Sequence, residues 1–213
     1  MKIFADTANL NEIKELLSWG IIDGCTTNPS IILKEKGVDF EKHIKKICKL
    51  FVGKPVSVEV TTNDLKPMIN QARELAEWSD NINIKIPMGL TGLKAVNELR
   101  KDGIKTNVTA CMNMPQTVLA AKAGATYVSL FWGRIEDMGY DGLHTLDEIT
   151  ALWGFQTEII LGSLRTVSDV TRAMQSHADI LTIPTLVLKK LPFHPRTDST
   201  IAEFLANWDK FCK

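Results

Sequence analysis

Several large functional classes leave marks that this sequence does not carry. It has 25 Lys and Arg against 25 Asp and Glu, a formal net charge of zero over 213 residues. That balance suits no general polyanion binder, so no nucleic-acid partner is expected, although a local basic pocket remains open. No apolar run approaches the ~20 residues of a membrane span, and no membrane partner is expected. The opening "MKIFADTANL" does not read as a signal peptide, because Asp6 interrupts any apolar core. The four cysteines, Cys25, Cys48, Cys111 and Cys212, stand too far apart for a zinc or redox motif. They read as free thiols in a reducing compartment, and the expectation is a soluble cytoplasmic protein with no bound metal. The sequence shows no linker, repeat or low-complexity segment.

What is present is alternation. Strand-like segments fall at 2–6, 24–28, 56–60, 82–86, 106–110, 127–131, 158–162 and 179–183. Between them lie amphipathic stretches. "NLNEIKELLSWG" places Ile13, Leu16 and Leu17 on one face and stops at Gly20. "DLKPMINQARELAEW" begins at Asp64, an expected N-cap, with Pro67 in its first turn. "TGLKAVNELRKDG" runs from Thr91 to Gly103, and "TVSDVTRAMQSH" follows the seventh strand. "STIAEFLANWDKFCK" closes the chain as a last helix. Repeated βα units imply a parallel sheet with right-handed crossovers. Eight of them in one domain, residues 1–213, predict a (β/α)8 TIM barrel with an extra C-terminal helix. A doubly wound open sheet is the competing fold, but "ADTANLN" after the first strand has no glycine for a nucleotide loop.

Strand side chains alternate between two faces, and parallel strands are normally apolar on both. Five of these strands break that rule in the same way. Ile82, Ile84 and Ile86 take one parity and Lys85 the other. Val56, Val58 and Val60 oppose Ser57 and Glu59; Val108 and Ala110 oppose Asn107 and Thr109. Ile3 and Ala5 oppose Phe4 and Asp6, while Val128 and Leu130 oppose Tyr127, Ser129 and Phe131. With the apolar parity packed on the helices, Asp6, Glu59, Lys85, Asn107, Thr109 and Ser129 point into the barrel. Most lie toward the C-terminal ends of their strands, where barrel enzymes build their sites. A structural ion pair is the plainer alternative for Lys85, but so polar a network is costly unless every member is satisfied.

A lysine in a poorly hydrated site has a depressed pKa and is in part a neutral amine. A neutral amine attacks carbonyl carbons. With a ketone it gives a carbinolamine and then an iminium, which stabilises the carbanion left when an adjacent C–C bond breaks. Two carboxylates and a threonine hydroxyl suit the proton transfers this cycle needs. The residues by themselves therefore suggest Schiff-base aldol chemistry.

"FADTAN", "TTNPSII", "VSVEVTT", "IKIPM", "NVTA", "SLFWGRIED" and "HPRTD" together resemble the transaldolase family in its short form, which includes the fructose-6-phosphate aldolases. The resemblance runs in order along essentially the whole chain. It implies that Lys85 is the Schiff-base lysine and that Asp6 is the acid/base group at the hydroxyl next to the breaking bond. It implies that Glu59 and Thr109 hold a catalytic water, and that Asn28 and Asn107, with Thr26 nearby, position the substrate's hydroxyls and the iminium. Ser129 would contact the ketose fragment, and Arg134, Ser163 and Arg165 the phosphate. Taken without the family, Asn28 reads as a turn residue before Pro29, and Arg134 and Arg165 as solvated loop charges. Ser163 and Arg165 nevertheless follow a strand and precede a helix, a common barrel phosphate site. The histidines 43, 144, 177 and 194 look peripheral, "HPRTD" reads as shaping the start of the last helix, and Trp132 is open between pocket wall and core.

Within the family, glutamate at the position of Glu59 and phenylalanine at that of Phe131 go with transaldolase; glutamine and tyrosine go with the aldolase. The resemblance therefore implies transfer of dihydroxyacetone from sedoheptulose 7-phosphate to glyceraldehyde 3-phosphate, in the non-oxidative pentose phosphate pathway. The substrates are phosphorylated sugars, and no cofactor is implied. Release of free dihydroxyacetone by an aldolase is the alternative, and a non-catalytic sugar-phosphate-binding barrel a remote one. The resemblance also implies a homo-oligomer, with decamers of two pentamers among short members. The last helix then either reaches a neighbour or packs on its own barrel.

Overall fold

The computed structural model describes residues 1–151 and 153–212. Eight strands close a parallel barrel in chain order: β1 (Lys2–Asp6), β2 (Gly24–Thr26), β3 (Val56–Glu59), β4 (Ile82–Pro87), β5 (Thr106–Cys111), β6 (Tyr127–Phe131), β7 (Glu158–Gly162) and β8 (Ile180–Ile183). β1 pairs with both β2 and β8, which excludes the open sheet. Around it lie α1 (Leu10–Ser18), α2 (Pro29–Ile32), α3 (Phe40–Leu50), α4 (Leu65–Glu77), α5 (Leu90–Lys101), α6 (Met114–Ala123), α7 (Trp132–Asp137), α8 (Gly142–Ala151), α9 (Val167–Met174), α10 (Thr185–Leu188) and α11 (Pro195–Phe211).

The two faces of the strands pack into separate cores. The outward residues, among them Val56, Val58, Ile84, Ile86, Val108, Val128 and Leu130, join the helices in one continuous cluster. Inside, Phe4, Tyr127, Ile160 and Ile180 form a second cluster that floors the barrel. Gly24 makes room for that floor: a Cβ there would stand 2.7 Å from the Phe4 ring.

Local chemistry explains where the boundaries depart from the sequence reading. β2 ends at Thr26 rather than Asn28, because Asn28 caps α2 and Pro29 fills its first position. Asp64 stands at the N-cap of α4, but its side chain makes no cap bond. α5 starts at Leu90 instead of Thr91, after Gly89 in a positive-φ turn. α11 starts at Pro195 rather than Ser199: the His194 ring accepts the Arg196 N–H at 3.1 Å and Pro195 sets the first turn. The "HPRTD" segment thus builds the start of the last helix. Lys213, the final residue of the expected helix, lies outside the described residues.

One parity expectation is corrected. Ala110 does not pack outward with Val108. The β5–β6 register passes from Val108–Val128 to Cys111–Leu130, so Thr109 and Ala110 together face Ser129. This is a β-bulge, and it hands the outward position to Cys111. Ala110 takes φ 60° in the process, a left-handed conformation that costs an L-residue about 1–2 kcal/mol.

The four cysteines are free. Burial pushes the Cys48 thiol up to about 11 and the Cys111 thiol up to about 12. Cys25 is raised further still, by burial and then by the nearby Asp6 carboxylate. These three thiols are packing groups, not nucleophiles.

Helix α11 stands apart from this economy of burial, since none of its described side chains is buried. Phe204, Leu205, Trp208 and Phe211 are 67%, 61%, 63% and 79% exposed.

Gly92 offers a test of the helix–barrel packing. Alanine normally stabilises a helix relative to glycine by up to about 1 kcal/mol. At Gly92 a Cβ would fall 2.0 Å from the Pro87 carbonyl oxygen at the end of β4. Gly92→Ala is therefore expected to destabilise by about 1–3 kcal/mol, read as a lowered denaturation midpoint at unchanged m-value.

Candidate active site

At the C-terminal ends of the strands opens a cavity of about 480 Å³. Lys85 enters it from the inner face of β4 and is only 4% exposed. Its Nζ donates to the Thr27 carbonyl at 3.1 Å and lies 3.3 Å from Glu59 Oε2. Glu59 is the register partner of Lys85 on β3, so adjacent strands set the pair at one level. The isoleucines on either side of Lys85 belong to the outer core, and their burial is what aims the amine inward.

Asp6 enters from the end of β1 and accepts the Thr26 hydroxyl on Oδ1 at 2.7 Å. Burial raises its pKa; the Thr26 hydrogen bond and the charges of Lys85 and Lys34 pull the other way and are outweighed. Glu59 and Asp6 thus supply two carboxylates on one wall system with Lys85. Thr109, inward by the strand parity and just before the bulged Ala110, also lines the cavity. Its Oγ1 is buried with no hydrogen-bond partner among the described residues, a free hydroxyl facing the reactive side of the barrel.

Ser129, Phe131, Asn28, Thr26, Arg134 and Ser163 line the same cavity. Asn28 Oδ1 accepts the Ile31 N–H as a helix cap, so it is a turn residue and a wall residue at once. Asn107, the register partner of Lys85 on β5, is fully buried and not on the cavity wall. It donates to Ser57 Oγ at 3.1 Å and accepts from Ser129 Oγ at 2.7 Å, so it orients Ser129 from below.

The cationic end is built around Gly133. A Cβ there would lie 2.3 Å from the Ser163 carbonyl oxygen, so only glycine lets α7 approach the loop after β7. That approach brings Arg134 beside Ser163, which itself holds φ 61°. Arg165 is not on the cavity wall. It forks onto Asp137 with bonds of 2.6 and 2.7 Å. The start of α9 carries a carboxylate of its own. Asp169 Oδ2 accepts the N–H groups of Arg165 and Thr166 at 2.8 and 2.9 Å, and Thr166 completes the capping box.

Trp132 resolves to the core: it is fully buried and stacks against the Arg172 guanidinium, 5.1 Å from its ring. None of the four histidines lines the cavity. His43 is not peripheral as expected; it is buried, its Nε2 2.8 Å from the Ala8 carbonyl oxygen. Among the described residues no cluster of three or more His, Cys, Asp or Glu is arranged to hold a metal ion. The site offers an amine, two carboxylates, hydroxyls and one cationic edge.

The sequence reading passed over Thr182 and the Thr27 carbonyl. Thr182, on β8, lines the cavity, and the parity rule finds it: Leu181 and Ile183 on either side of it belong to the outer core. The Thr27 carbonyl had no side-chain signal, because the group that holds Lys85 there is backbone.

Residues 3–212 match the family described as Transaldolase/Fructose-6-phosphate aldolase. The chain is 51% identical over 216 residues to a probable transaldolase of Methanococcus maripaludis strain C6, covering 100% of both. It is 50% identical over 213 residues to a probable transaldolase of Shouchella clausii, covering 99% of this chain and 98% of that one. Among solved structures it is similar to thiamine phosphate pyrophosphorylase from Pyrococcus furiosus, with TM-score 0.61 and 11% identity over 90% of this chain and 93% of that one. The 3-hexulose-6-phosphate synthase from Salmonella typhimurium gives TM-score 0.62 and 13% identity, over 87% and 89%. At these identities the two structures speak for the barrel alone.

The raised pKa of Asp6 makes a stability prediction. A carboxyl that ionises later in the folded state than in the unfolded one weakens folding as pH rises from the unfolded value through the folded one. Asp6→Asn is therefore expected to raise the denaturation midpoint near neutral pH. The gain should vanish below about pH 3.9, where both forms are neutral. Denaturation curves of the two proteins across that range check it.

Proposed function

Since the chain belongs to the transaldolase/fructose-6-phosphate aldolase family, we propose that it is a transaldolase. It moves a dihydroxyacetone unit from sedoheptulose 7-phosphate to glyceraldehyde 3-phosphate, as a cytoplasmic enzyme of the non-oxidative pentose phosphate pathway. The observation that carries this reading is the buried Lys85 amine, 3.3 Å from Glu59, in a cavity that Asp6 and Phe131 also line.

In this reading the nitrogen lone pair of Lys85 attacks the ketone carbon of the donor. Glu59 and Thr109, through a water, protonate the departing oxygen of the carbinolamine and an iminium forms. Asp6 takes the proton from the hydroxyl on the far side of the C–C bond, and that bond breaks. Its electrons pass into the iminium, leaving a three-carbon enamine on Lys85, and erythrose 4-phosphate departs. The enamine then attacks the aldehyde carbon of glyceraldehyde 3-phosphate, and Asp6 returns its proton to the new hydroxyl. Hydrolysis frees fructose 6-phosphate. Ser129 and Asn28 hold the ketose hydroxyls, and Thr26 holds Asp6. Arg134 and Ser163 take the phosphate at the far edge, with Arg165 reaching it by leaving Asp137.

Phe131 favours transfer over release. It puts an apolar ring where a hydroxyl would organise water for hydrolysis of the three-carbon unit. The relatives named as probable transaldolases support the same choice. The assay measures fructose 6-phosphate formed from sedoheptulose 7-phosphate with and without glyceraldehyde 3-phosphate. Product that requires the acceptor is expected, and Lys85→Ala should lower the rate by about a thousandfold or more. Phe131→Tyr should shift part of the turnover to free dihydroxyacetone. Brisk release of dihydroxyacetone by the unaltered chain would instead favour the aldolase.

The reading includes a homo-oligomer, decameric in the arrangement the family suggests. Five large apolar side chains on α11, Ile201 with Phe204, Leu205, Trp208 and Phe211, lie open to solvent, an arrangement that fits a helix covered by another copy. The native mass is expected to be several times the chain mass, and Phe204→Glu with Trp208→Glu should lower it. A wild-type chain that sediments as a monomer would contradict this part of the reading.

A further inference from the structure

Thr182 has no part in the cycle above, yet its hydroxyl is tied to it. Thr182 Oγ1 lies 2.5 Å from Thr26 Oγ1, and Thr26 Oγ1 lies 2.7 Å from Asp6 Oδ1. The barrel register explains the meeting. β1 stands between β8 and β2, with Phe4 opposite Thr182 on one side and Asp6 opposite Thr26 on the other. The two threonines reach each other across β1.

Counting hydrogens orders the chain. A threonine hydroxyl has one hydrogen to give. An ionised Asp6 has none, so Thr26 gives its hydrogen to Asp6. Nothing then remains for Thr26 to offer Thr182, and the 2.5 Å contact requires Thr182 to donate. We propose that Thr182 is a positioning residue for Asp6: its hydroxyl locks the Thr26 hydrogen onto Asp6 Oδ1 and leaves Oδ2 as the oxygen that exchanges a proton with the substrate. The catalytic consequence rests on the role given to Asp6 in the proposed transfer; the ordering of the hydrogens rests only on an ionised Asp6.

Each donor in such a chain polarises the next, so Thr182 strengthens the bond that favours the ionised carboxylate. The other charged groups around Asp6 are Lys85 of β4, Glu59 of β3 and Arg134 of α7 on the shared cavity wall, and Lys34 beyond α2; the Cys25 thiol of β2 lies behind it in the outer core. Across the adjoining cavity stand Glu12 of α1 and Glu35. Glu12 is held by the hydroxyls of Thr7 and Thr185 at 2.6 and 2.7 Å. Replacing Thr182 with valine removes a hydroxyl and changes none of these charges. A residue that merely fills space would leave Asp6 unaffected by that exchange.

The test is a carboxyl titration of the full chain labelled with 13C-aspartate, with Asp6→Asn identifying the Asp6 signal. In Thr182→Val the Asp6 carboxyl is expected to titrate at higher pH than in the wild type. Thr182→Ala, which also lacks the hydroxyl, should follow valine, and Thr182→Ser should titrate with the wild type. In the transfer assay the acidic limb of kcat/KM should move in the same direction for valine, with a loss of about three- to tenfold that serine recovers. An Asp6 titration unchanged in both hydroxyl-free variants, or shifted equally in serine, overturns the proposal. A wild-type chain without transfer activity refutes the functional reading instead, and the titration still decides the role of Thr182.

Discussion

Everything at the reactive end of this barrel depends on keeping a lysine amine where water is scarce. Such a group is costly to bury, and the compensation here comes from two neighbours, the Glu59 carboxylate and the Thr27 carbonyl. Glu59 is set beside Lys85 by the register of β3 on β4, and the lysine side chain reaches past β3 to the Thr27 carbonyl just after β2. A pair this close is poor evidence for stability. Hydrophobic side chains in the same places would serve the fold as well or better. The arrangement makes sense as chemistry that the fold tolerates.

The same logic extends to the rest of the site. Asp6 is held against the pull of burial by a hydroxyl chain, and the carboxylate it presents is less settled than one in water. Ala110 and Ser163 sit in left-handed conformations on either side of the cavity, at a cost of about 1–3 kcal/mol each. One turns Ala110 onto the cavity wall beside Thr109; the other brings a serine beside Arg134. The outer apolar shell, continuous through all eight strands and most helices, carries the stability that these placements spend.

Much of this was legible in the sequence because the strand period is two. The isoleucines of "INIKI" had to face the helices, so Lys85 had to face the barrel, and the same reading turned Asp6, Glu59 and Ser129 inward. It failed where the period is interrupted or where the decisive group is not a side chain. The bulge at Thr109–Ala110 inverts the parity of the residues after it, and nothing in "TNVTAC" announces that. The carbonyl of Thr27 has no signature at all. Arg165 has the right residue type beside the right strand, yet Asp137 holds it. Partner choice among charged groups is decided by side chains distant in sequence. The exposed face of α11 shows the reverse case: its apolar residues were visible in sequence, but only the fold shows that its own barrel leaves them uncovered.

The central claim is that Lys85 is a nucleophile that becomes covalently bonded to its substrate. Borohydride reduction in the presence of fructose 6-phosphate, followed by intact-mass measurement and peptide mapping, tests it most directly. A stable sugar-derived adduct is expected on the peptide containing Lys85, absent from Lys85→Ala. No mass gain, an adduct confined to another lysine, or full transfer activity in Lys85→Ala would contradict it.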